Sequence, residues 1–295
     1  MRGRVRSRKP AEVLAEITRL AQEGYKEVVL TGIHLSSYGL EKKEREAGET
    51  VSEFDLTLKE KETAETTVLP LLSLIRKVQE IPGIERIRLG SLEPRIMTEA
   101  FVKELATLPK VCPHFHLSLQ SGCDATLKRM NRKYTTTEYR EAVERLRRYF
   151  VLPAITTDII VGFPGETEEE FCETLRFAEE IAFSQIHIFK YSRRAGTAAD
   201  RMKEQVPEPV KTERSDRLEA VERALREQYP ANFSGKAEEV LFEEELTVDG
   251  TTYLTGHTTR YVKVAVKKTE ELLPNEIRAV CLTGETLRDM QLAIL

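Results

Sequence analysis

Polar residues and glycines stand where five apolar segments of the chain end, and these residue types could bind a small ligand. Side-chain oxygens and amides offer hydrogen bonds, and glycine lets a ligand approach the backbone closely. If the five segments are parallel strands, their ends meet at one edge, where α/β folds bind their ligands. The five segment ends supply, among others, Thr31, Gly32, Ser91, Glu93, Arg95, Gln120, Ser121, Gly122, Asp158, Gly162, Gly165, Tyr191, Ser192 and Arg194.

Familiar catalytic motifs are absent from the sequence. It contains no GxGxxG, no P-loop and no HExxH, and no nucleophile stands beside a base. Among the histidines, His34 ends a predicted strand and is a candidate site residue. His114, His116 and His187 lie inside predicted strands, where a hydrogen-bonded core or interface role is the default. The residues alone therefore indicate an α/β ligand-binding domain without a readable reaction.

The four cysteines do not form a recognisable metal-binding set. Cys112, Cys123, Cys172 and Cys281 are separated by 11, 49 and 109 positions, whereas zinc and iron–sulfur sites use closely spaced cysteines. We therefore expect buried thiols, no metal ligands and a reducing, cytoplasmic location.

Basic residues are unevenly distributed in a chain whose formal net charge is −4. Five of the first nine residues are Arg or Lys, and a second basic cluster lies between Lys128 and Arg148. The second cluster also suits an ordinary solvated helix face. Nucleic acid would bind local patches of this kind rather than the protein as a whole. The candidate RNA contacts are Arg2, Arg4, Arg6, Arg132, Lys133, Arg194, Lys263 and Lys267.

Helical and strand-like segments alternate over the first two thirds of the chain. Strands are predicted near residues 26–32, 85–91, 114–122, 154–162 and 184–192. The alternation predicts an α/β domain whose parallel strands form a barrel or an open doubly wound sheet. Two helix starts carry a T-x-x-E capping box, Thr135 with Glu138 and Thr167 with Glu170.

Two further segments differ from this alternation in composition. Residues 40–67 are rich in Glu, Lys and Thr without apolar periodicity, so we expect a flexible insertion. Residues 230–295 hold short strand-like runs punctuated by glycine, which predicts a small β-barrel domain after a domain of residues 1–229. The predicted barrel has seven basic and eleven acidic residues, a balance unfavourable for binding phosphates. A local strip of cations could still bind RNA there: Arg260, Lys263, Lys267 and Lys268.

Several long stretches together resemble the radical S-adenosylmethionine methylthiotransferases. They are RGRVRSR, LTGIHLSSYG, LSLQSGCDATLKRMNRKYTTTEY, TDIIVGFPGETEEEF and YSRRAGTAADRMKEQVPEPVKTER. LTGIHLSSYG and IRLGSLEPRIMT most resemble the branch that converts N6-threonylcarbamoyladenosine, beside the tRNA anticodon, to its 2-methylthio derivative. The sister branch for isopentenyladenosine usually has Gln-Asn at the positions of Ile33 and His34. The last 66 residues resemble the RNA-binding TRAM domain that ends these enzymes.

The resemblance implies a partial (β/α) barrel. It also implies that S-adenosylmethionine binds at seven of the strand-end residues, namely Thr31, Gly32, Gln120, Asp158, Gly162, Tyr191 and Ser192. In the family, a stretch like RGRVRSR follows a CxxxCxxC loop whose cysteines hold a [4Fe–4S] cluster, and a preceding domain holds a second cluster. The resemblance therefore implies that this chain begins after that loop. We expect it to lack the cluster cysteines and the first barrel strand, and to be a fragment that is inactive alone.

Other functions remain open at this point. The same fold could be an RNA-binding module without catalysis, or a methylthiotransferase for isopentenyladenosine tRNA or a ribosomal protein. An unrelated barrel enzyme for a small molecule is a further alternative. The implied partners are the tRNA anticodon stem-loop and S-adenosylmethionine, with no membrane, since no run of about 18 apolar residues occurs. An exposed barrel edge at residues 28–30 predicts some self-association.

Overall fold

The computed structural model describes residues 6–32, 35–39 and 69–295. The predicted insertion at residues 40–67, the candidate His34, and the basic residues Arg2 and Arg4 lie outside the described residues. Within those ranges, no helix is both long and apolar enough to cross a membrane.

A five-stranded parallel sheet is the centre of the first part of the chain. Its strands are β1 (Glu27–Leu30), β2 (Arg86–Leu92), β3 (Val111–Leu117), β4 (Ala154–Val161) and β5 (Gln185–Lys190). They lie side by side in the order of the chain. A doubly wound sheet reverses its strand order at a switch point. The sequential order found here has no such reversal, so of the two predicted alternatives it agrees with the barrel-like arrangement.

Seven α-helices accompany the sheet in the described part of the chain. They are α1 (Pro10–Gln22), α2 (Pro70–Gln79), α3 (Glu99–Leu105), α4 (Asp124–Arg129), α5 (Thr136–Tyr149), α6 (Glu168–Ile181) and α7 (Glu208–Ala231). Both predicted capping boxes are present, at the starts of α5 and α6. Each box satisfies two backbone N–H groups that the first helical turn would leave unpaired.

The two faces of the sheet differ in chemistry because successive side chains of a strand point to opposite sides. Phe115, Ile155 and Ile186 belong to one hydrophobic core that also contains the buried faces of the helices. On β3 and β4, His116 and Asp158 alternate with these apolar residues. The sheet therefore has one face covered by helices and one face that carries polar groups.

Two predicted strands end earlier than expected. β3 covers Val111–Leu117 rather than residues 114–122, because Gln120 adopts a left-handed backbone conformation with φ of 72°. Gln120 still forms one isolated bridge to β4, where its N–H donates to the Asp158 carbonyl at 2.8 Å. β5 ends at Lys190, so Tyr191 and Ser192 lie in the loop that follows it.

A closed five-stranded barrel forms the last part of the chain. Its strands are β6 (Ala237–Val248), β7 (Thr251–Thr258), β8 (Lys263–Lys267), β9 (Ile277–Leu287) and β10 (Met290–Ile294). The barrel has its own apolar core, which includes Phe242, Leu254 and Val264. The parallel α/β sheet and the small C-terminal β-barrel that the sequence predicts are both confirmed.

Two buried arginines of β2 connect the sheet to the barrel. Arg86 donates hydrogen bonds to the carbonyls of Glu239 and His257, at 2.9 and 3.0 Å. Arg88 donates to the carbonyls at 258 and 259, at 2.7 and 2.8 Å. Because a buried guanidinium without partners is costly, these contacts fix the barrel against the start of β2.

Candidate functional site

The candidate residues after β1 lie in the open. Thr31 and Gly32 are both exposed. Thr31 also lies directly against β2, since a Cβ added to Gly90 would stand 2.7 Å from the Thr31 hydroxyl oxygen. The glycine at position 90 therefore lets the Thr31 hydroxyl sit close to the neighbouring strand while remaining accessible to solvent.

Gln120 and Asp158 are brought together by the backbone. The Gln120 N–H donates to the Asp158 carbonyl, and the Ile160 N–H donates to the Gln120 carbonyl at 2.9 Å. Gln120 is buried, although its backbone is in a conformation that glycine adopts more readily. A strained non-glycine residue at a strand end is a feature often found at binding sites.

The Asp158 carboxylate lies on the polar face of the sheet beside a histidine. Its Oδ2 is 3.4 Å from Nε2 of His116. Partial burial opposes ionisation, but the hydrogen bond from His116 and the nearby charges of His187 and Arg132 outweigh it and lower the pKa of Asp158. Asp158 therefore carries a negative charge at neutral pH and can accept hydrogen bonds from a cationic ligand group.

The buried carboxylate of Glu166 fixes the loop after β4. Glu166 accepts a hydrogen bond from the Gly162 N–H at 2.7 Å and another from Arg214 of α7 at 2.9 Å. Gly162 has a φ of 71°, and a Cβ there would stand 2.4 Å from a methylene of Lys211. Gly162 therefore meets both a turn requirement and the close approach of α7.

Tyr191 is the strand-end residue with an unsatisfied polar atom. Its ring packs edge-on against Phe163 at 5.3 Å, and Lys211 Nζ lies 5.6 Å from its ring centre. Its hydroxyl is buried and has no hydrogen-bond partner among the described residues. A ligand's polar atom could satisfy this group. Ser192, the next residue, is exposed.

The candidate residues thus form local groups rather than one continuous contact set. The backbone of Gln120 is hydrogen-bonded to that of Asp158. The Tyr191 N–H donates to the carbonyl of Val161, the residue before Gly162, at 2.9 Å. Thr31 follows β1, at the opposite edge of the sheet from β5.

Sequence reasoning missed a group on the polar face of the sheet. His116 and His187, which were predicted to have core or interface roles, stand beside Asp158. Their positions in the sequence are far apart, and only the strand register aligns them. The alternation of His114 and His116 with apolar residues was the available signal, because it places both histidines on the face opposite the core.

The candidate RNA contacts are spread over both parts of the chain. Arg6, Lys133, Arg194 and Lys267 are exposed, while Arg132 and Lys263 are partly buried. Of these, Lys133 donates to its neighbour Asn131 at 3.0 Å. Lys263 and Lys267 lie on β8 of the barrel, and the other candidate residues belong to the first part of the chain.

Two members of the predicted cation strip of the barrel have partners within the protein. Arg260 donates to the carbonyls of Val151 and Leu152 and pairs with Glu238 at 3.0 Å, so it connects the barrel to the first part of the chain. Lys268 pairs with Glu245. The other two members of the strip, Lys263 and Lys267, lie on β8.

The basic cluster of α5 is also used within the protein. Arg140 pairs with Glu180, and Arg145 pairs with Glu141. Arg147 donates to the carbonyl of Ile181, and Arg148 contacts Glu99. These contacts support the interpretation of this cluster as a paired helix face.

Iron–sulfur clusters need several thiolates in one place, and the described residues do not supply them. All four cysteines are free, and no group of three that includes a cysteine comes within ligand distance among the described residues. Burial raises the pKa of Cys112 to about 11, which disfavours its thiolate. The described residues therefore do not fit a cluster. They do fit S-adenosylmethionine, because an ionised Asp158 suits its ammonium group and the Tyr191 hydroxyl lacks a partner.

Comparisons with known proteins identify relatives of this chain. A family model described as the radical SAM superfamily matches residues 1–178. Threonylcarbamoyladenosine tRNA methylthiotransferase MtaB of Bacillus subtilis is 37% identical over 273 residues, 92% of this chain and 55% of the relative. The tRNA-2-methylthio-N(6)-dimethylallyladenosine synthase of Thermoanaerobacter sp. is 41% identical over 242 residues, 82% of this chain and 46% of the relative.

Among solved structures, coproporphyrinogen III oxidase (HemN) from Escherichia coli, a radical SAM enzyme, aligns with 49% of this chain and 34% of its own. The TM-score is 0.41 and the sequence identity is 18%. The chain spans about half the length of the curated relatives it matches.

Proposed function

The chain belongs to the radical SAM superfamily and, within it, to the tRNA methylthiotransferase family, and we propose that it acts on N6-threonylcarbamoyladenosine beside the tRNA anticodon. The product would be the 2-methylthio derivative of that nucleoside. The choice of substrate rests on Ile33 and His34, at which the isopentenyladenosine branch usually has Gln-Asn. Relatives named for threonylcarbamoyladenosine and for dimethylallyladenosine both match this chain, at 37% and 41% identity, so the choice depends on these two residues.

The proposed place for S-adenosylmethionine is the carboxyl edge of the parallel sheet. Asp158 would accept a hydrogen bond from the ammonium group, and the Thr31 and Ser192 hydroxyls are exposed for polar contacts. The unpartnered Tyr191 hydroxyl is available to a ligand atom. Gln120, Gly32 and Gly162 complete the proposed set. S-adenosylmethionine, when bound, is the source of the radical chemistry of this superfamily.

The residues described here bind and position; they do not hold the [4Fe–4S] clusters that radical SAM enzymes use. No reaction step is therefore assigned to the cysteines of this chain. The proposed contribution of the chain is to hold the cofactor and the tRNA in place, in the cytoplasm. Arg6, Lys133, Arg194 and the two lysines of β8 are the proposed contacts to the anticodon stem-loop.

Binding of labelled anticodon stem-loops tests the substrate directly. Three RNAs of one sequence would carry threonylcarbamoyladenosine, isopentenyladenosine or unmodified adenosine, and affinity would be measured by fluorescence anisotropy at fixed salt. Tighter binding of the threonylcarbamoyl RNA supports the proposal. Tighter binding of the isopentenyl RNA would assign the chain to the sister substrate, and equal binding of all three would indicate an RNA-binding module that does not recognise the base.

A further inference from the structure

We propose that His116, Asp158 and His187 bind one divalent transition-metal ion, of the Zn²⁺ or Co²⁺ type, on the polar face of the sheet. These residues are the only set of three or more His, Cys, Asp or Glu side chains in the described part of the chain whose ligand atoms converge. The proposal concerns a nitrogen–oxygen site. It is separate from the iron–sulfur clusters of the family, which need thiolates.

The three ligand atoms are already close to a coordinating arrangement. All lie within 4.8 Å of one another, and His116 Nε2 is 3.4 Å from Asp158 Oδ2. In a tetrahedral zinc site with bonds of about 2.0–2.1 Å, ligand atoms stand roughly 3.3 Å apart. The His187 ring lies beside that of His116, with the two ring centres 5.8 Å apart.

Strand register holds the three backbones at one level of the sheet. Asp158 stands directly opposite His187 in the pairing of β4 with β5. His116 stands opposite Thr156 in the pairing of β3 with β4, two residues before Asp158. Hydrogen-bonded strands are rigid supports, so little ordering entropy is lost when a metal binds to groups that they carry.

A hydrogen bond behind His116 orients its ring. His116 Nδ1 is 3.0 Å from the Thr156 hydroxyl oxygen. A metal ion would replace the proton that Nε2 shares with Asp158; with the remaining proton on Nδ1, the histidine donates to Thr156 and the Nε2 lone pair is free for the ion. Histidines that bind metals usually donate their other ring N–H to an oxygen in this way.

Accessibility and ligand chemistry indicate which ion would bind. The side chains of His116 and Asp158 are 14% and 30% exposed, and His187 is exposed, so an ion can reach them from solvent. Two imidazoles and one carboxylate, with a further position free, form the ligand set of open zinc sites. Nitrogen and oxygen ligands without thiolates suit Zn²⁺, Co²⁺ or Ni²⁺.

Titration of the metal-free full chain with Co²⁺, without iron or sulfide, tests the proposal. We expect one Co²⁺ per chain with visible d–d absorption that Zn²⁺ abolishes. His116→Ala and His187→Ala should each weaken binding at least tenfold. Thr156→Val should weaken it about tenfold, as expected for loss of an outer hydrogen bond.

His257→Ala is the matched control, because His257 is also a histidine beside a carboxylate, 2.8 Å from Glu243, but belongs to the barrel. It should leave Co²⁺ binding unchanged. The proposal is overturned if no saturable binding occurs, if the His116→Ala/His187→Ala double variant still binds one ion while retaining its circular dichroism spectrum, or if near-ultraviolet thiolate-to-cobalt absorption shows that a cysteine binds the ion. The test needs neither S-adenosylmethionine nor tRNA, so it can fail while the proposed function holds. The two proposals share Asp158, so a bound ion and the ammonium group of S-adenosylmethionine would compete for that carboxylate.

Discussion

Arg214 and Glu166 form an ion pair that is almost completely removed from water. The guanidinium lies 2.9 Å from the carboxylate, and the side chains are 5% and 1% exposed. The same carboxylate oxygen accepts the Gly162 N–H at 2.7 Å. These two contacts connect helix α7 to the loop after β4 beside the candidate site, and both depend on the Glu166 carboxylate.

Removing that carboxyl group should strongly destabilise the protein. Glu166→Ala leaves the Arg214 charge buried and the Gly162 N–H without its acceptor, and breaking a buried pair in this way costs about 3–5 kcal/mol. Urea unfolding measures the loss. Glu180→Ala is the control, since that residue pairs with Arg140 at the surface, where such pairs contribute about 1 kcal/mol or less. Equal losses in the two variants would contradict the role of the buried pair.

The sequence predicted the elements well because local patterns encode them. The capping boxes at Thr135 and Thr167 and the alternation of strands with helices depend on residues close together in the chain. The end of β3 was missed, since nothing in the sequence around Gln120 marks a left-handed backbone position, which glycine would have indicated.

Long-range contacts were not predictable from the same patterns. The sequence pattern predicts only that Arg88 belongs to a strand. In the structure its guanidinium donates a hydrogen bond to the carbonyl of Thr258, 170 positions later. The convergence of His116, Asp158 and His187 likewise depends on strand register, which sequence spacing does not specify. The pairing of Arg260 with Glu238 was likewise not predictable, because it depends on how the barrel meets the first part of the chain.

Stability should depend on pH through His114. Burial, together with the charge of Arg88, lowers the pKa of His114 to about 3, from an ordinary value of 6.5. The unfolded chain therefore binds a proton below about pH 6.5 that the folded protein refuses until about pH 3, so stability falls as pH falls through this window. Between pH 7 and pH 5 this one group should cost roughly 2 kcal/mol.

His114→Phe should remove that dependence while keeping the stacking on Tyr261, whose ring centre is 5.1 Å away. The measurement is the free energy of unfolding in urea at both pH values. Phe115→Leu, a core change on the same strand without a titratable group, should lower stability equally at pH 7 and pH 5. A wild-type pH dependence retained by His114→Phe would show that His114 is not the responsible group.

Loss of Arg88 should loosen the attachment of the barrel. Its guanidinium donates to Glu27 at 2.6 Å and to the carbonyl of Thr258 at 2.7 Å, and it lies 4.8 Å from the Tyr261 ring centre. Arg88→Met leaves the two carbonyls without this donor and leaves Glu27 only its longer pair with Arg86, at 3.9 Å, so we expect a stability loss of about 3 kcal/mol. Limited proteolysis between α7 and β6 should also become faster. Arg19→Met, which removes a surface pair with Glu23 within α1, should change neither measurement.

The two lysines of β8 should contribute to RNA affinity without contributing to stability. Lys263→Glu/Lys267→Glu should weaken tRNA binding and reduce the slope of log affinity against log salt by roughly 1–2, because each phosphate contact contributes about 0.7–0.9. The melting temperature should stay unchanged. Lys77→Glu/Lys103→Glu changes the net charge equally at exposed positions of α2 and α3. If both doubles weaken binding equally, the effect is one of overall charge, and β8 is not an RNA surface.

Two substitutions of Gln120 should differ in stability but not in their effect on cofactor binding. Its left-handed backbone, with φ of 72°, costs about 1 kcal/mol for any residue with a Cβ. Gln120→Gly removes that strain and Gln120→Ala keeps it, so the glycine variant should be the more stable of the two by about 1 kcal/mol in urea unfolding. Both variants lose the side chain proposed to face S-adenosylmethionine, so calorimetry should show the same loss of affinity, about tenfold, in each. If the two variants bind S-adenosylmethionine as the wild type does, Gln120 holds the strand end and has no part in binding the cofactor.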